Sequence, residues 1–212
     1  GWPGHAITPI PFPGILSCIG RAIGEFKPDQ TKGRTPVLAF GSNQSPEQLA
    51  RKFGHDAGHE IPVQRGRLHD FDVVFSAHIT SYGAVPAMLQ HTPGAIVEVA
   101  VTWLDDDQLA IMHESETRAA NYVFAAFDTI RLDLWEGGVE DTAYAYVGQH
   151  GQLTDNGHGL ALAAVLCENR PHRPVTTGEA LEIIHARLAP ALPVDDFILQ
   201  LIDDPEFRHQ VT

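Results

Sequence analysis

Alternating apolar and polar residues predict a series of β-strands through the middle of the chain. Such alternation is typical of a strand with one buried face, because successive side chains point to opposite sides of a sheet. The strongest example covers residues 95–104, where Val97, Val99 and Val101 recur at every second position. The predicted strands are residues 37–40, 65–76, 95–104, 122–134 and 141–147, with turn sequences at 81–83, 93–94 and 136–138.

Apolar residues three or four positions apart predict helices on both sides of these strands. We expect Ser45 to be the N-cap of one helix, and Thr176 with Glu179 has the form of a capping box. The predicted helices are residues 14–26, 46–53, 105–115 and 158–166, one that follows Thr176, and a last one capped by Asp195. Strands in the centre and helices at the flanks together predict an α+β domain.

The pattern also predicts how the 212 residues are organised. We expect an N-terminal arm with a short helix at residues 1–34 and a main domain at residues 35–188. A helical tail is expected at residues 189–212.

Composition and charge argue against several classes of function. A net charge of −13 with only 14 lysines and arginines argues against nucleic-acid binding, which needs clustered basic residues. No apolar run approaches the roughly 18 residues that cross a membrane, and the first residues lack the pattern of a secretory signal. Cys18 and Cys167 are too few for a disulfide framework. We therefore expect a cytoplasmic protein with neither nucleic acid nor membrane as a partner.

A turn of small residues after the first predicted strand is the first candidate binding element. The apolar run ends in Gly41-Ser42-Asn43, and Ser45-Pro46 then opens a helix. Amides in such a turn have no partner in the strand, and glycine lets a ligand approach closely, so the turn can bind a carboxylate or an oxyanion. For these three residues alone, a plain connection between strand and helix is the simpler interpretation.

A carboxylate on the apolar side of a predicted helix is the second candidate. At about 100° per residue, Glu116 falls between Leu109 and Met112, whereas Glu114 falls on the solvent side. Charged residues that break an amphipathic pattern concentrate at functional sites. The alternative is that the helix ends before Glu116 and leaves the carboxylate in water.

Five segments between residues 36 and 147 occur in the order of a known family's landmarks. The first is Ala39-Phe40-Gly41-Ser42-Asn43, and the last is residues 112–116 followed by Tyr122. The intervening segments are residues 66–75, 82–87 and 93–99. Together they resemble the γ-glutamyl cyclotransferase-like superfamily, whose signature is Tyr-Gly-Ser-Asn and whose catalytic Glu corresponds to Glu116. Phe40, Gln44, His113 and Thr117 are departures from the family pattern.

The resemblance implies a fold, a reaction and a set of site residues. The implied fold is a small mixed β-barrel ringed by α-helices, and the implied partner is a small molecule that carries a γ-glutamyl group. The α-amine of that group attacks its own γ-carbonyl and releases 5-oxoproline, with Glu116 as general acid/base and with no metal or cofactor. The implied substrate-binding residues are Leu38, Ala39, Phe40, Gly41, Ser42, Asn43 and Tyr122.

A binding or regulatory module without catalysis is the alternative function. It would keep the barrel pocket, and Phe40 and Thr117 favour it because they replace the family's Tyr and Gly. The sequence leaves open the leaving group of the substrate and the oligomeric state, with a homodimer as one option.

Four other residues have side chains that could act in a site, but the sequence pattern favours a structural role for each of them. His55 and His59 have a spacing that binds metal on a helix, but the glycines around them argue against a helix there. His113 is expected at the edge of the core, with contact to the substrate as the alternative. Arg170 is expected in a solvated turn, with a clamp on a substrate carboxylate as the alternative.

Overall fold

In the described part of the computed structural model, two α-helices lie between strands and three α-helices follow the last strand. The structure describes residues 16–19, 22–24, 26–54, 60–117 and 121–211. The strands are β1 (Leu16–Ile19), β2 (Ala22–Gly24), β3 (Thr35–Ala39), β4 (Glu60–Phe75), β5 (Ala87–Leu104), β6 (Tyr122–Leu134), β7 (Val139–Gly148), β8 (Thr154–Asp155), β9 (His158–Leu162), β10 (Cys167–Glu168) and β11 (Arg173–Val175). The helices are α1 (Pro46–Phe53), α2 (Asp106–Thr117), α3 (Thr177–Leu188), α4 (Val194–Asp203) and α5 (Pro205–Val211), with short 3-10 turns at Pro28–Thr31 and Ser42–Gln44.

Five strands pair in a ring and close a β-barrel. Around the ring, β4 pairs with β5, β5 with β3, β3 with β7, β7 with β6, and β6 again with β4. The pairing of β3 with β7, where Val37 lies opposite Tyr144, is parallel, and the other four pairings are antiparallel. The expected α+β fold with a small mixed barrel and surrounding helices is confirmed.

Alternation along β3 separates two groups of buried side chains. Leu38 belongs to the largest core cluster, which also contains the alternating valines of β5. Val37 and Ala39 point the other way, into a layer between the barrel and the helices α1 and α2. This outer layer consists of Val37, Ala39, Leu49, Phe53, Ile61, Val63, Ala100, Leu104, Met112 and Tyr146. The predicted period of two along the barrel strands therefore corresponds to burial on both faces.

Two predicted helices are strands in the structure. The helix predicted at residues 14–26 is wrong over its described residues, where β1 pairs with β2 and with the start of β4. The helix predicted at residues 158–166 is also wrong, because β9 pairs in parallel with β11 and antiparallel with β8 and β4. Short apolar runs fit either structure, and the neighbouring strands decide between them.

The strand predicted at residues 95–104 begins earlier, at Ala87. Pro93-Gly94 was predicted as a turn, but it lies in a bulge at which the register against β4 shifts between His69 and Phe71. Asp70 has a positive φ of 64° there, and its side chain accepts a hydrogen bond from the Gly94 amide at 2.7 Å. A bulge lets one long strand change direction without ending.

The remaining helix predictions agree closely with the structure. Helix α1 has the predicted bounds, and the Ser45 hydroxyl accepts a hydrogen bond from the Gln48 amide. The capping box of Thr176 and Glu179 is formed at the start of α3. Helices α4 and α5 lie within the predicted helical tail, although Pro193 occupies the N-cap position expected for Asp195. The division at residues 34 and 188 stays a prediction.

A buried ion pair fastens the segment before β11 to the barrel strand β4. Asp72 is fully buried, and both its oxygens lie 3.0 Å from Arg170 Nε. His172 Nδ1 lies 3.0 Å from the second oxygen. Arg170 is therefore a buried structural residue, and both expectations from the sequence, the solvated turn and the substrate clamp, are wrong.

None of the helices in the described ranges is long and apolar enough to span a membrane.

Replacing Asp72 by Asn is expected to destabilise the fold, because it leaves the buried Arg170 guanidinium without a counter-charge. Removing one partner of a buried ion pair costs about 3–5 kcal/mol of unfolding free energy, which chemical denaturation measures. Asp29→Asn is the matched control, since Asp29 pairs with Lys32 where the side chains are 84% and 79% exposed. Equal stability of the two variants would contradict the structural role of Asp72.

The same ion pair is expected to be sensitive to acid. Burial raises the pKa of Asp72, but the hydrogen bonds from Arg170 and His172 and the Arg170 charge outweigh burial, so the pKa lies below its ordinary value of 3.8. A lowered pKa contributes its full stability above the ordinary value, and the contribution is lost as the pH falls through the lower, folded-state value. As the pH falls, the unfolding free energy of the wild type should therefore lose the contribution of ionised Asp72, which pH-dependent chemical denaturation measures. The Asp72→Asn variant lacks this contribution at every pH.

Candidate functional site

Glu116 lies in the last turn of α2 and faces the barrel. The helix begins at Asp106 and continues through Thr117. The carboxylate of the preceding Asp105 accepts a hydrogen bond from the Gln108 amide at 2.9 Å. Met112, one turn before Glu116, is 1% exposed, and the Glu116 side chain is 15% exposed. The helix therefore does not end before Glu116, and the predicted position of the carboxylate on the apolar side is confirmed.

Glu116 meets the Gly41-Ser42-Asn43 turn. Asn43 Nδ2 donates a hydrogen bond to Glu116 Oε1 at 3.0 Å, across 73 positions of sequence. The turn is a 3-10 turn in which the Gln44 amide bonds to Gly41 O and the Ser45 amide to Ser42 O. The amides of Ser42 and Asn43 come before the first of these bonds and have no acceptor within the turn.

Lys52 of α1 completes this contact, and the sequence analysis missed it. Its Nζ forms an ion pair with Glu116 Oε1 and lies 3.6 Å from Met112 Sδ. The Lys52 side chain is 10% exposed. Among the described residues, both donors to Glu116 converge on the same oxygen, Oε1.

The helical phase of α1 contained a signal for Lys52. With Leu49 at zero, Lys52 falls at about −60° and Phe53 at about +40°, so the lysine lies on the apolar stripe. Leu49 and Phe53 are both buried in the outer layer. This is the same departure from pattern that drew attention to Glu116, but with the opposite charge.

Two tyrosines lie within the electrostatic field of Glu116. Burial and the Glu116 charge raise the pKa of both Tyr122 and Tyr146 above the ordinary value of 10.0. Tyr146 Oη lies 2.8 Å from His113 Nδ1, and the His113 ring packs edge-on against Phe124. His113 is partly buried at the edge of the outer layer, as the simpler expectation had it.

The side chains of the residues before the turn pack in the barrel core and in the outer layer. The Leu38 and Phe40 side chains lie in the largest core cluster, and Ala39 lies in the outer layer. Phe40, which stands where the resembled signature has Tyr, is 7% exposed. The missing hydroxyl at Phe40 thus belongs to a ring that packs into the core rather than beside Glu116.

A second cluster, also missed from the sequence, lies next to Tyr122. The His78 ring is 6.1 Å from the Tyr122 ring and 4.4 Å from the His150 ring, measured between centroids. Its Nδ1 lies 2.9 Å from Ser76 Oγ. Burial and the neighbouring His150 lower the pKa of His78 to about 4, so the ring is neutral near neutral pH.

Four buried side-chain polar atoms have no hydrogen-bond partner among the described residues. They are Asn43 Oδ1, Arg65 Nε, His78 Nε2 and Gln152 Oε1. Such orphaned atoms are uncommon in folded proteins and call for an explanation. The Asn43 amide group donates to Glu116 through Nδ2, and its Oδ1 is an acceptor without a partner. Such an acceptor is suited to a ligand with N–H groups.

A groove of about 370 Å³ lies between α1 and α2. Its lining residues are Gln48, Lys52, Ile111, Glu114 and Ser115. Lys52 therefore contacts both the groove and the Glu116 carboxylate.

The described part of the chain contains no cluster of His, Cys, Asp and Glu that could hold a metal ion. The pair of His55 and His59 lies outside the described residues. The side chains around Glu116 offer a cation, an amide group and phenols, which are suited to binding and proton transfer.

Comparison with known proteins gives a structural likeness. No protein-family model and no curated protein matches the chain. A gamma-glutamyl cyclotransferase structure is 15% identical, has a TM-score of 0.45, and matches over 84% of this chain and 97% of that one. The chain resembles solved gamma-glutamyl cyclotransferases.

Two further structures show the same kind of likeness. A yeast gamma-glutamyl cyclotransferase specific to glutathione is 12% identical with a TM-score of 0.40, over 85% of this chain and 97% of that one. YkqA from Bacillus subtilis is 14% identical with a TM-score of 0.46, over 86% of this chain and 54% of that one. The closed barrel itself is established by the strand pairing of this chain.

The environment of His78 predicts an unusual titration. The ring should gain its proton near pH 4, well below the ordinary value of 6.5, because burial and His150 disfavour the cation. NMR of the histidine rings measures this, with His78→Gln to assign the signal. His150→Gln should move the pKa of His78 upward, and a wild-type His78 that titrates near 6.5 would contradict the described packing.

The same shift affects stability. Because the folded-state pKa of His78 is lowered, the contribution of this ring to the free energy of unfolding is complete above pH 6.5. It is lost as the pH falls toward 4. This loss should be absent from His78→Gln.

Proposed function

We propose that the protein is a γ-glutamyl cyclotransferase-like enzyme that releases 5-oxoproline from a γ-glutamyl amine, amino acid or peptide. Glu116 is the general acid/base. The observation that carries the proposal is the 3.0 Å hydrogen bond from Asn43 to Glu116, which joins the two elements that the sequence singled out separately. A loop with amides that lack an acceptor in their own turn, next to a carboxylate, is the arrangement that this cyclisation needs.

The reaction needs proton transfer but no protein nucleophile. Glu116 takes a proton from the substrate α-ammonium, and the free amine attacks the γ-carbonyl carbon to close a five-membered ring. The carbonyl π-electrons move to oxygen and return as the bond to the leaving nitrogen breaks, and that nitrogen keeps the bonding pair. Glu116 delivers its proton to the leaving nitrogen, takes the second proton from the ring nitrogen and passes it to the released amine. The products are 5-oxoproline and an ammonium, and the carboxylate is restored.

The turn supplies donors for the charges that develop on oxygen. The amides of Ser42 and Asn43 have no acceptor within their turn, and fixed amides stabilise an oxyanion or a carboxylate without reorganisation. Asn43 Oδ1 is buried and unpartnered among the described residues, and an ammonium of the substrate would supply its missing donor. Tyr122, whose pKa is raised by burial and by Glu116, stays a phenol that donates a hydrogen bond.

Replacing Glu116 by Gln is expected to lower the rate of 5-oxoproline release by at least about 100-fold, because the amide cannot carry the proton. Gln keeps an oxygen for Lys52 and Asn43 but leaves the buried Lys52 ammonium without a counter-charge, so the melting temperature should fall, and the rate is measured at a temperature at which the variant is folded. Chromatographic assay of 5-oxoproline over a set of γ-glutamyl compounds measures the rate.

Asp107→Asn is the matched control for this variant. Asp107 lies in the first turn of the same helix, and it is exposed. Its removal changes the net charge by the same amount as Glu116→Gln and should leave the rate at the wild-type value. Unchanged turnover in Glu116→Gln would exclude the assigned role.

The second candidate function is a binding module that holds a γ-glutamyl compound without turning it over. The ion pair of Lys52 with Glu116 favours it, because the carboxylate already has a cationic partner. Calorimetry separates the two functions: binding of a γ-glutamyl compound with no 5-oxoproline formed, and with equal affinity in Glu116→Gln, supports the module.

A further inference from the structure

We infer that Lys52 is a positioning residue for Glu116: its ammonium fixes carboxylate oxygen Oε1 and leaves Oε2 to exchange protons with the substrate. This inference rests on the proposed function. It adds a residue from α1 to a site that was otherwise built from the Gly41-Asn43 turn and α2.

The choice of oxygen follows from the contacts. Lys52 Nζ and Asn43 Nδ2 both donate to Oε1, and they approach from α1 and from the turn before it. Two donors on one oxygen fix the carboxylate plane, because the side chain can no longer rotate without breaking one of them. Among the described residues, Oε2 is thus the oxygen left for the proton.

The burial of the pair explains why a cation occupies this position. The Lys52 and Glu116 side chains are 10% and 15% exposed, and Met112 packs beside the ammonium. A carboxylate at this depth without a counter-charge is unfavourable, and it would turn toward water or another donor. Lys52 therefore keeps Glu116 in place between turnovers.

The groove between α1 and α2 makes the inference testable with a small molecule. Lys52 lines this groove of about 370 Å³, so a truncated side chain leaves a space that is continuous with solvent. Propylammonium contains the atoms that Lys52→Ala removes, and it can enter that space. Propan-1-ol has nearly the same shape without the charge.

The first test compares kinetic constants. Lys52→Met is expected to lower kcat by about 100-fold, the size of effect that misplacement of a reacting group by about 1 Å produces. KM should change by less than about three-fold, because Lys52 acts on Glu116 and not on the substrate. Lys52→Arg keeps the cation and should restore kcat to within about ten-fold of wild type.

Arg51→Met is the matched control, since Arg51 is the preceding residue of α1 and is exposed. It loses the same charge and should keep the wild-type kcat. If Lys52→Met does not fold, Lys52→Gln replaces it, because this shorter, uncharged side chain also removes the ammonium while remaining polar.

The second test is chemical rescue. Propylammonium should raise the kcat of Lys52→Ala at least about ten-fold, without affecting the wild type, while propan-1-ol should have no effect. A role limited to folding would lower the melting temperature without producing rescue by the cation alone.

The outcomes separate this inference from the proposed function. A wild-type kcat in Lys52→Met or Lys52→Gln, with Glu116→Gln inactive, overturns the inference and leaves the proposed function standing. A kcat that falls without rescue by Arg or by propylammonium also overturns it. A wild-type protein that releases no 5-oxoproline from any γ-glutamyl compound overturns the proposed function, and this inference with it.

Discussion

The contact between Lys52 and Glu116 is the constraint on which the site depends. Each residue lies on the apolar stripe of its helix, where a single charge would be costly to bury. Facing each other, the two charges compensate, and they fix α1 against α2 in one arrangement. Because the Gly41-Asn43 turn leads directly into α1, the same contact fixes the turn against Glu116. The loop amides and the carboxylate are therefore held together by an ion pair outside the loop itself.

The barrel supplies the rigid support beneath this arrangement. Strand β3 carries the turn at its carboxyl end and is paired on both sides, antiparallel to β5 and parallel to β7. Its side chains alternate between the core and the outer layer, so both faces are held by packing. Strand β7 places Tyr146 next to α2, where its hydroxyl contacts His113. Burial and the Glu116 charge raise the pKa of Tyr146 there. Elsewhere on the barrel, Asp72 and Arg170 hold the segment before β11 in the same manner, with charges that satisfy each other.

The sequence predicted those features that follow from local periodicity. The barrel strands, α1 with its cap, and the inward orientation of Glu116 all follow from spacings within about one or two helical turns or a single strand. It did not predict β1 and β9, whose short apolar runs take their form from distant strands. It placed Arg170 in solvent, because nothing local indicates that Asp72, 98 positions away, is buried against it. Lys52 was within reach, since its helical phase carries the same signal as Glu116. In this chain, a charge on the apolar stripe of one helix is paired with an opposite charge on the apolar stripe of the neighbouring helix.

The most direct measurement is a crystal structure of Glu116→Gln with a γ-glutamyl amino acid bound. We expect the substrate α-nitrogen to lie about 3 Å from the atom of the introduced glutamine that replaces Oε2, within the reach of proton transfer. We also expect the γ-carbonyl oxygen to point to the amides of Ser42 and Asn43, with Lys52 and Asn43 still on the glutamine oxygen that replaces Oε1. A substrate bound elsewhere, or bound here with its α-nitrogen directed away from the substituted side chain, would contradict the assignment of Glu116 as the general base.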